Sequence, residues 1–332
     1  QQRQQQRRQR QDARGDRQGR AASSASSGSG KAGRQAGSMG RVELLRRYRH
    51  FVLDCDGVLW HSAEAIAGAV EAVRRLRESG ADVVFMTNNS TRTREAYLSK
   101  FTELGFDGVR VEDINTSGSA VAEHCQAKGF DKVFAIGETG LVDECRQLGI
   151  EVVQDGGSGD AMDDTEFART ETDAGVKAVV MGWDRTFNYR KLSLASLYLQ
   201  GGAQLVATNP DASDKVGGRF MPGNGCAVAA VQYSVNDPYG ERTTVVGKPN
   251  GKLIDSLLDK YGFKREATLM VGDRLDTDIK FAVNGKIDSL LVLSGCSTKD
   301  EADQAADEVA PTFVADDLRA ALDEPLEPFQ QG

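Results

Sequence analysis

The sequence has little of what anchors several other classes of protein. Its five cysteines, Cys55, Cys125, Cys145, Cys226 and Cys296, include no CxxC pair, which gives no support to a disulfide or zinc framework and points to a reducing compartment. Its three histidines, His50, His61 and His124, share no ligand or triad spacing, so a core or surface placement is expected for each. No run of 18 apolar residues occurs, which excludes a membrane-spanning helix. No internal repeat with a period of about 20 to 50 residues is evident.

Positive charge is scarce outside the first 40 residues. That stretch holds nine basic and two acidic residues, so the remainder carries −15 of a total of −8. A body this acidic is a poor general binder of nucleic acid or anionic lipid. Any phosphate it handles must meet a local cation, from one lysine or a metal ion. Before Met39 there is no apolar residue larger than alanine, and such a segment cannot offset its chain entropy by burial. Residues 1–40 are therefore expected to be a disordered tail or leader. The run Gly28 to Gly33 matches GxGxxG but follows no strand pattern, as the dinucleotide fingerprint requires. Ala25 and Ala32 stand where a P-loop needs glycine and Ser/Thr. The Arg- and Ser-rich composition resembles an organelle transit leader, with chloroplast or another organelle as destination. The leading expectation is a cytoplasmic protein, with Met39 a candidate start, and the organelle destination is the alternative.

From residue 50 onward, apolar runs alternate with helical patterns. Strands are expected at 51–54, 82–86, 132–136, 177–181, 204–207, 243–246, 267–271 and 287–293. Between them, apolar residues recur at helical spacing, as in Ala69, Val73 and Leu76 before Gly80, or Leu253, Ile254, Leu257 and Leu258 before Gly262,. This order predicts an α/β fold with parallel sheets covered by helices, whose ligands bind at the carboxyl ends of strands. Residues 154–175, acidic and glycine-rich, read as a solvated loop.

Four strand ends carry polar residues suited to phosphate chemistry. Phe51-Val52-Leu53 runs into Asp54-Cys55-Asp56-Gly57; in an extended segment Asp54 and Asp56 would share a side and converge on one centre, with Cys55 turned away into packing. The strand from Asp82 ends in Thr87-Asn88-Asn89-Ser90, whose hydroxyl and amides are natural donors to phosphate oxygens. Val245-Val246-Gly247-Lys248-Pro249 places one ammonium past an apolar run,. Leu269-Met270-Val271-Gly272-Asp273 leads into Asp276 and Asp278, carboxylates that repel one another unless a divalent cation sits among them, and oxygen ligands of this kind suit Mg²⁺.

Together these four segments, in this order, resemble the haloacid dehalogenase superfamily of phosphatases. The strings DCDGVLW, TNNS, GKPN and VGDRLDTDI are similar to its branch of phosphoglycolate, 4-nitrophenyl and pyridoxal phosphate phosphatases, over about residues 45–325. The resemblance implies a Rossmann-like core at 41–128 and 243–330, interrupted by a large α/β cap at 129–242. It implies Asp54 as nucleophile, Asp56 as general acid and base, and Thr87, Asn88, Asn89 and Lys248 as phosphate-binding residues. Mg²⁺ would be held by the Asp54 carboxylate, the Asp56 carbonyl and Asp273, with Asp278 orienting its waters. Asn209 and Asp211 are the candidates from Ala207-Thr208-Asn209-Pro210-Asp211, and Pro222-Gly223-Asn224-Gly225 continues the pattern. A pyridoxal phosphate phosphatase would carry a histidine soon after Asp211, whereas this chain reads Ala212-Ser213-Asp214-Lys215-Val216.

The implied activity is Mg²⁺-dependent hydrolysis of a small phosphorylated metabolite through an aspartyl-phosphate, with 2-phosphoglycolate the leading substrate and a homodimer formed through the cap. No nucleic-acid or membrane partner is expected. A broad 4-nitrophenylphosphatase or pyridoxal phosphate phosphatase, a phosphomutase or phosphotransferase with a sugar acceptor, a phosphoaspartate signalling domain and a non-catalytic binding protein are the competitors. A receiver domain would not accommodate the long insertion between Thr87 and Lys248, and it lacks a second aspartate two residues after the acceptor.

Overall fold

The computed structural model describes residues 41–155, 162–216, 219–237 and 240–323; the expectations for residues 1–40 lie outside them. Among the described residues, no helix is long and apolar enough to cross a membrane. Two parallel sheets dominate. The first has six strands in the order β15-β14-β13-β1-β4-β5, namely Phe313–Ala315, Asp288–Val292, Thr268–Gly272, His50–Leu53, Asp82–Thr87 and Ile114–Thr116. The second has five in the order β12-β9-β8-β6-β7: Thr243–Val245, Gln204–Ala207, Ala178–Met181, Lys132–Ile136 and Glu151–Val153. Two antiparallel ribbons, β2-β3 (Trp60–His61 with Glu64–Ala65) and β10-β11 (Ser213–Val216 with Arg219–Pro222), complete the sheets among the described residues.

The central strands are buried on both faces, as a helix-covered parallel sheet requires. In β1, Phe51 and Leu53 pack into one apolar cluster with Leu76, Phe85 and Phe101, while Val52 joins Val84, Met86 and Met270 in another. The helix Ala69–Glu78 turns Ala69, Ala72, Val73 and Leu76 inward and leaves Arg74 outside, paired with Glu71 at 2.6 Å. The helix Lys252–Tyr261 buries Ile254, Leu257 and Leu258 and stops at Gly262 with φ of 67°, a left-handed conformation that glycine adopts without a Cβ penalty. The second sheet is covered likewise. Val133, Ala135 and Val180 meet the helices Ser117–Ala127 and Thr139–Gln147. Phe134, Val179 and Met181 meet Tyr189–Gln200 and Asn224–Ser234.

Three expectations need correction. Thr243–Val245, read as the start of the second core segment, pairs in parallel with β9 in the second sheet. Only Val246 and Gly247 then separate that sheet from Lys248. The helix Ser117–Ala127, placed in the first core segment, packs Val121, Ala122 and Cys125 against the second sheet's cluster, because its apolar face matches that layer. Residues 164–169 form a helix rather than loop, started by Asp163, whose Oδ1 accepts from the Glu166 amide at 2.8 Å,. Its acidic side chains are not simply solvated, since Glu166 pairs with Arg190 at 2.5 Å. The histidines stay apart: His50 is buried, 3.0 Å from Asp82 and stacked on Phe263, and His61 is exposed.

Candidate active site

The site is a consequence of strand register. Leu53 lies beside Val271 on one side and Phe85 on the other, so β13, β1 and β4 end within two residues of one another. The residues at those ends, Asp273, Asp54 and Thr87, are all buried. The Asp54 amide stays in the ladder, donating to the Val271 carbonyl at 2.8 Å. The chain leaves the strand through Gly57, with φ of 86°. A Cβ at Gly57 or at Gly295 would overlap the Asp273 carboxylate, so two glycines shape a cradle that holds this group from both sides.

After Asp273 the chain makes a π-turn, Leu275–Ile279. Such turns are frequent at functional sites, and this one folds Asp278 back beneath Gly272. Asp278 Oδ2 accepts from the Arg274 amide at 3.1 Å. Asp54, Asp273 and Asp278 thereby bring one carboxylate oxygen each within 4.8 Å of one another.

Lys248 reaches this cluster from the other sheet and is only 2% exposed. Its Nζ donates to Asp54 Oδ1, to Asp278 Oδ1 at 2.6 Å and to the Met86 carbonyl at 3.1 Å. All three ammonium donors have acceptors. Asn88 fixes the lysine's backbone. Its Oδ1 accepts from the Lys248 amide and its Nδ2 donates to the Lys248 carbonyl, both at 2.9 Å.

Burial and charge decide the protonation states. Burial opposes the Lys248 charge, yet Asp278 and Asp54 together hold its ammonium well above the ordinary lysine range. Burial pushes the Asp54 carboxyl up, with Lys248 opposing. Asp273 is pushed up to about 7 by burial and by Asp278; among its opposing contacts is the Cys296 amide, which donates to its Oδ2 at 2.7 Å. Three buried carboxylates gather about one ammonium, and the raised proton affinity of Asp54 and Asp273 is the mark of that excess. A divalent cation would relieve it, and the oxygen-only donor set suits a hard ion. Cys55 lies fully buried beside the site, its thiol pushed up by burial and by Asp54 and Asp56, so it packs rather than reacts.

The other named residues are placed differently. The strand ends at Leu53, so a turn, and not strand alternation, sets Asp56. Its side chain is half exposed, and its Oδ1 accepts from Trp60 Nε1 at 2.9 Å. The Thr87 hydroxyl accepts from the Asn89 amide at 3.1 Å. Asn89 Oδ1 is occupied within its own loop by the Thr91 amide and hydroxyl, each at 2.8 Å. Asn209 donates to the Asn88 carbonyl at 2.8 Å, and Asn88 Nδ2 lies 3.2 Å from both Asp211 oxygens. Asn224 extends the network, donating to the Asn209 carbonyl at 2.9 Å. Asp211 is pushed up to about 6 by burial, against the pull of Arg274 and Asn88. Asn88, Asn209 and Asp211 thus form a brace behind Lys248.

Sequence reasoning missed Gly295 and the Cys296 amide, which lie in the turn after β14 and reach Asp273 only through the fold. It also missed Arg274, which donates to the Ser213 carbonyl at 3.3 Å and stands 3.8 Å from Asp214. Arg274 thereby ties the loop after Asp273 to the β10-β11 ribbon. The signal available for these was adjacency to Asp273 or to a glycine.

Comparison with known proteins agrees with this geometry. A family model described as haloacid dehalogenase-like hydrolase matches residues 51–151, and a second HAD-hydrolase-like model matches 245–321. A chloroplastic phosphoglycolate phosphatase of Arabidopsis thaliana is 37% identical over 82% of this chain and 75% of its own length. Human glycerol-3-phosphate phosphatase is 37% identical over 74% of this chain and 79% of its own. Among solved structures, the 4-nitrophenylphosphatase of Thermotoga maritima superposes with a TM-score of 0.71 at 30% identity, covering 84% of this chain and 98% of that one. A glycerol phosphate phosphatase of Mycobacterium tuberculosis, solved in complex with magnesium, gives 0.69 at 29% identity over 84% and 77%. With its strand-end carboxylates, its inserted α/β domain and these relatives, the chain belongs to the haloacid dehalogenase-like hydrolases and is a phosphoric monoester hydrolase among them.

Proposed function

We propose that this chain hydrolyses small phosphate monoesters with Mg²⁺ through an aspartyl-phosphate on Asp54, and that 2-phosphoglycolate is its preferred substrate. The observation that carries the reading is the buried convergence of Asp54, Asp273 and Asp278 on one another, with the Lys248 ammonium paired to Asp54 and Asp278. Phosphoryl transfer depends mainly on alignment and on neutralising charge at phosphorus, and this cluster is built for both.

Asp54 attacks phosphorus as the bond to the leaving oxygen breaks, and Asp56 gives that oxygen its proton so that an alcohol departs. Water then attacks the phosphorus of the aspartyl-phosphate and returns a proton to Asp56, releasing inorganic phosphate and the free Asp54 carboxylate. Lys248 holds the nucleophile in place and offsets charge on the transferring group. Asp54, the Asp56 carbonyl and Asp273 would hold the metal, with Asp278 braced beside them. The ion supplies the positive charge without which a carboxylate and a phosphate dianion repel.

The substrate assignment rests on similarity to the Arabidopsis phosphoglycolate phosphatase, and the human glycerol-3-phosphate phosphatase matches with equal identity. The discriminating experiment is phosphate release by the purified full chain from 2-phosphoglycolate, glycerol 3-phosphate, pyridoxal 5′-phosphate and 4-nitrophenyl phosphate, with Mg²⁺ and with chelator. The highest kcat/KM on 2-phosphoglycolate, abolished by chelator, is expected. Preference for another ester would replace the substrate, and turnover unaffected by chelator would remove the metal. An organelle leader before Met39 is supported by its Arg- and Ser-rich composition and by the chloroplastic naming of the Arabidopsis relative; a fluorescent fusion of residues 1–40 reads it.

A further inference from the structure

Lys100 carries a buried charge that the chemistry above does not use. Its side chain is only 13% exposed, and burying an ammonium is unfavourable unless it is paired. Among the described residues its Nζ meets two groups: the face of the Trp60 ring, 4.0 Å from the centroid, and Asp56 Oδ1, also at 4.0 Å. The Trp60 indole donates its Nε1 hydrogen to that same Asp56 Oδ1 at 2.9 Å. One oxygen of Asp56 is thus held by two groups, and neither touches the other oxygen.

The unit is rigid. Trp60 is fully buried, with Tyr97, Phe101 and Phe106 around its ring at centroid distances of 6.3, 4.9 and 6.0 Å. Lys100 and Phe101 are neighbours on the helix Arg94–Glu103, so that helix presents the ammonium to one face of the indole while its next residue packs on the ring. The turn closes from the backbone as well, since the Gly57 amide donates to the Trp60 carbonyl at 2.9 Å. Asp56 itself is half exposed on a turn, where a free carboxylate would sample several rotamers.

We infer that Trp60 and Lys100 are positioning residues for Asp56, clamping its Oδ1 so that Oδ2 is the oxygen that exchanges a proton with the leaving group. This rests on the reading of Asp56 as general acid. A proton donor matters most when the departing oxygen is basic and little when the leaving group is already a stable anion. Misplacing Asp56 therefore leaves a distinct signature. It slows esters of alkyl alcohols far more than 4-nitrophenyl phosphate, whereas general damage to the site slows both alike.

The test measures kcat/KM across phosphate esters graded in leaving-group basicity for the parent, Asp56→Asn, Trp60→Phe, Lys100→Met and Lys100→Arg. Phe at 60 keeps an aromatic body without the indole hydrogen. Met at 100 keeps an apolar stem without the charge, so folding does not hang on one variant. Trp60→Phe and Lys100→Met are expected to lose about ten- to a hundredfold on the alkyl esters, part of the roughly 10²- to 10⁴-fold a general acid supplies, with 4-nitrophenyl phosphate within about threefold of the parent. Lys100→Arg, which keeps the cation over the ring, is expected to recover most of the loss. A leaving-group dependence in Asp56→Asn but unchanged or equal losses in Trp60→Phe and Lys100→Met would overturn the clamp alone. No such dependence in Asp56→Asn would overturn the general-acid reading and the clamp with it.

Discussion

The two parallel sheets share an architecture and differ at their carboxyl ends. In the six-stranded sheet the central strands run into Asp273, Asp54 and Thr87. In the five-stranded sheet, β6 and β8 run into Gly137 and Gly182, and β9 into Thr208. A Cβ at Gly182 would press on the Ser90 hydroxyl, and one at Gly140 would overlap the Arg92 backbone. The Trp183 amide donates to Ser90 Oγ at 3.3 Å and the Gly140 amide to the Thr91 carbonyl at 3.3 Å. The central strands of one sheet therefore end in carboxylates and those of the other in close approach, with small residues docking against the loop that follows Thr87. The fold is common to both; the carboxylates come from the ends of one sheet, and Lys248, just past the edge strand β12, is brought to them by the other,.

Four substitutions would break or sharpen this contrast. Asp54→Asn removes the nucleophile while leaving its shape, and phosphate release is expected to fall by at least about 10³-fold with the thermal melt intact; activity within tenfold of the parent would remove Asp54 from that role. Lys248→Met is expected to lower turnover by about a hundredfold and, in chelator, to destabilise the protein by about 3–5 kcal/mol, because two buried carboxylates lose the one cation that pairs with them among the described residues,. Urea unfolding measures the loss, and an unchanged midpoint would show the pair to be dispensable for stability.

Asp211 supplies the pH test. Burial raises its folded-state pKa to about 6, above its ordinary value, so the folded protein binds this proton more tightly than the unfolded chain does. The associated stability is complete below about pH 4 and is lost as pH rises through about 6, by up to about 3 kcal/mol. Asp211→Asn should flatten that part of the curve of unfolding free energy against pH. Parallel curves for parent and variant would contradict the assignment. The smallest effect is expected from Asn224→Ala, which cuts two neutral hydrogen bonds, to the Asn209 carbonyl and to Thr208 Oγ1 at 3.2 Å. A loss of about 1–2 kcal/mol of stability with activity within about tenfold is expected, and a loss of activity as deep as that of Lys248→Met would erase the distinction between brace and reacting cluster.

The legible part of this molecule was what local sequence dictates. An apolar run that ends in a carboxylate or a lysine announces a strand end, so the strand expected at 267–271 appears at 268–272 and that at 287–293 as 288–292. Asp54, Lys248 and Asp273 were visible for the same reason. Sheet membership was not, since Thr243–Val245 reads alike as a core strand or as an edge of the second sheet, and only pairing with Gln204–Ala207 decides. The orientation of Asp56 was also hidden, because it is set by a turn whose anchor, Trp60, acts through a side-chain bond. Gly295, Lys100 and Asn224 lie far in sequence from the groups they contact, and their partners exist only once the layers have packed.

The most direct measurement is acid quench of the full chain during steady turnover, followed by mass spectrometry of the peptide that contains Asp54. A phosphoryl group carried on Asp54, absent without ester and absent in Asp54→Asn, is the expected result. Steady phosphate release with no phosphorylated Asp54 at any quench time, or with the label on a different residue, would contradict the account.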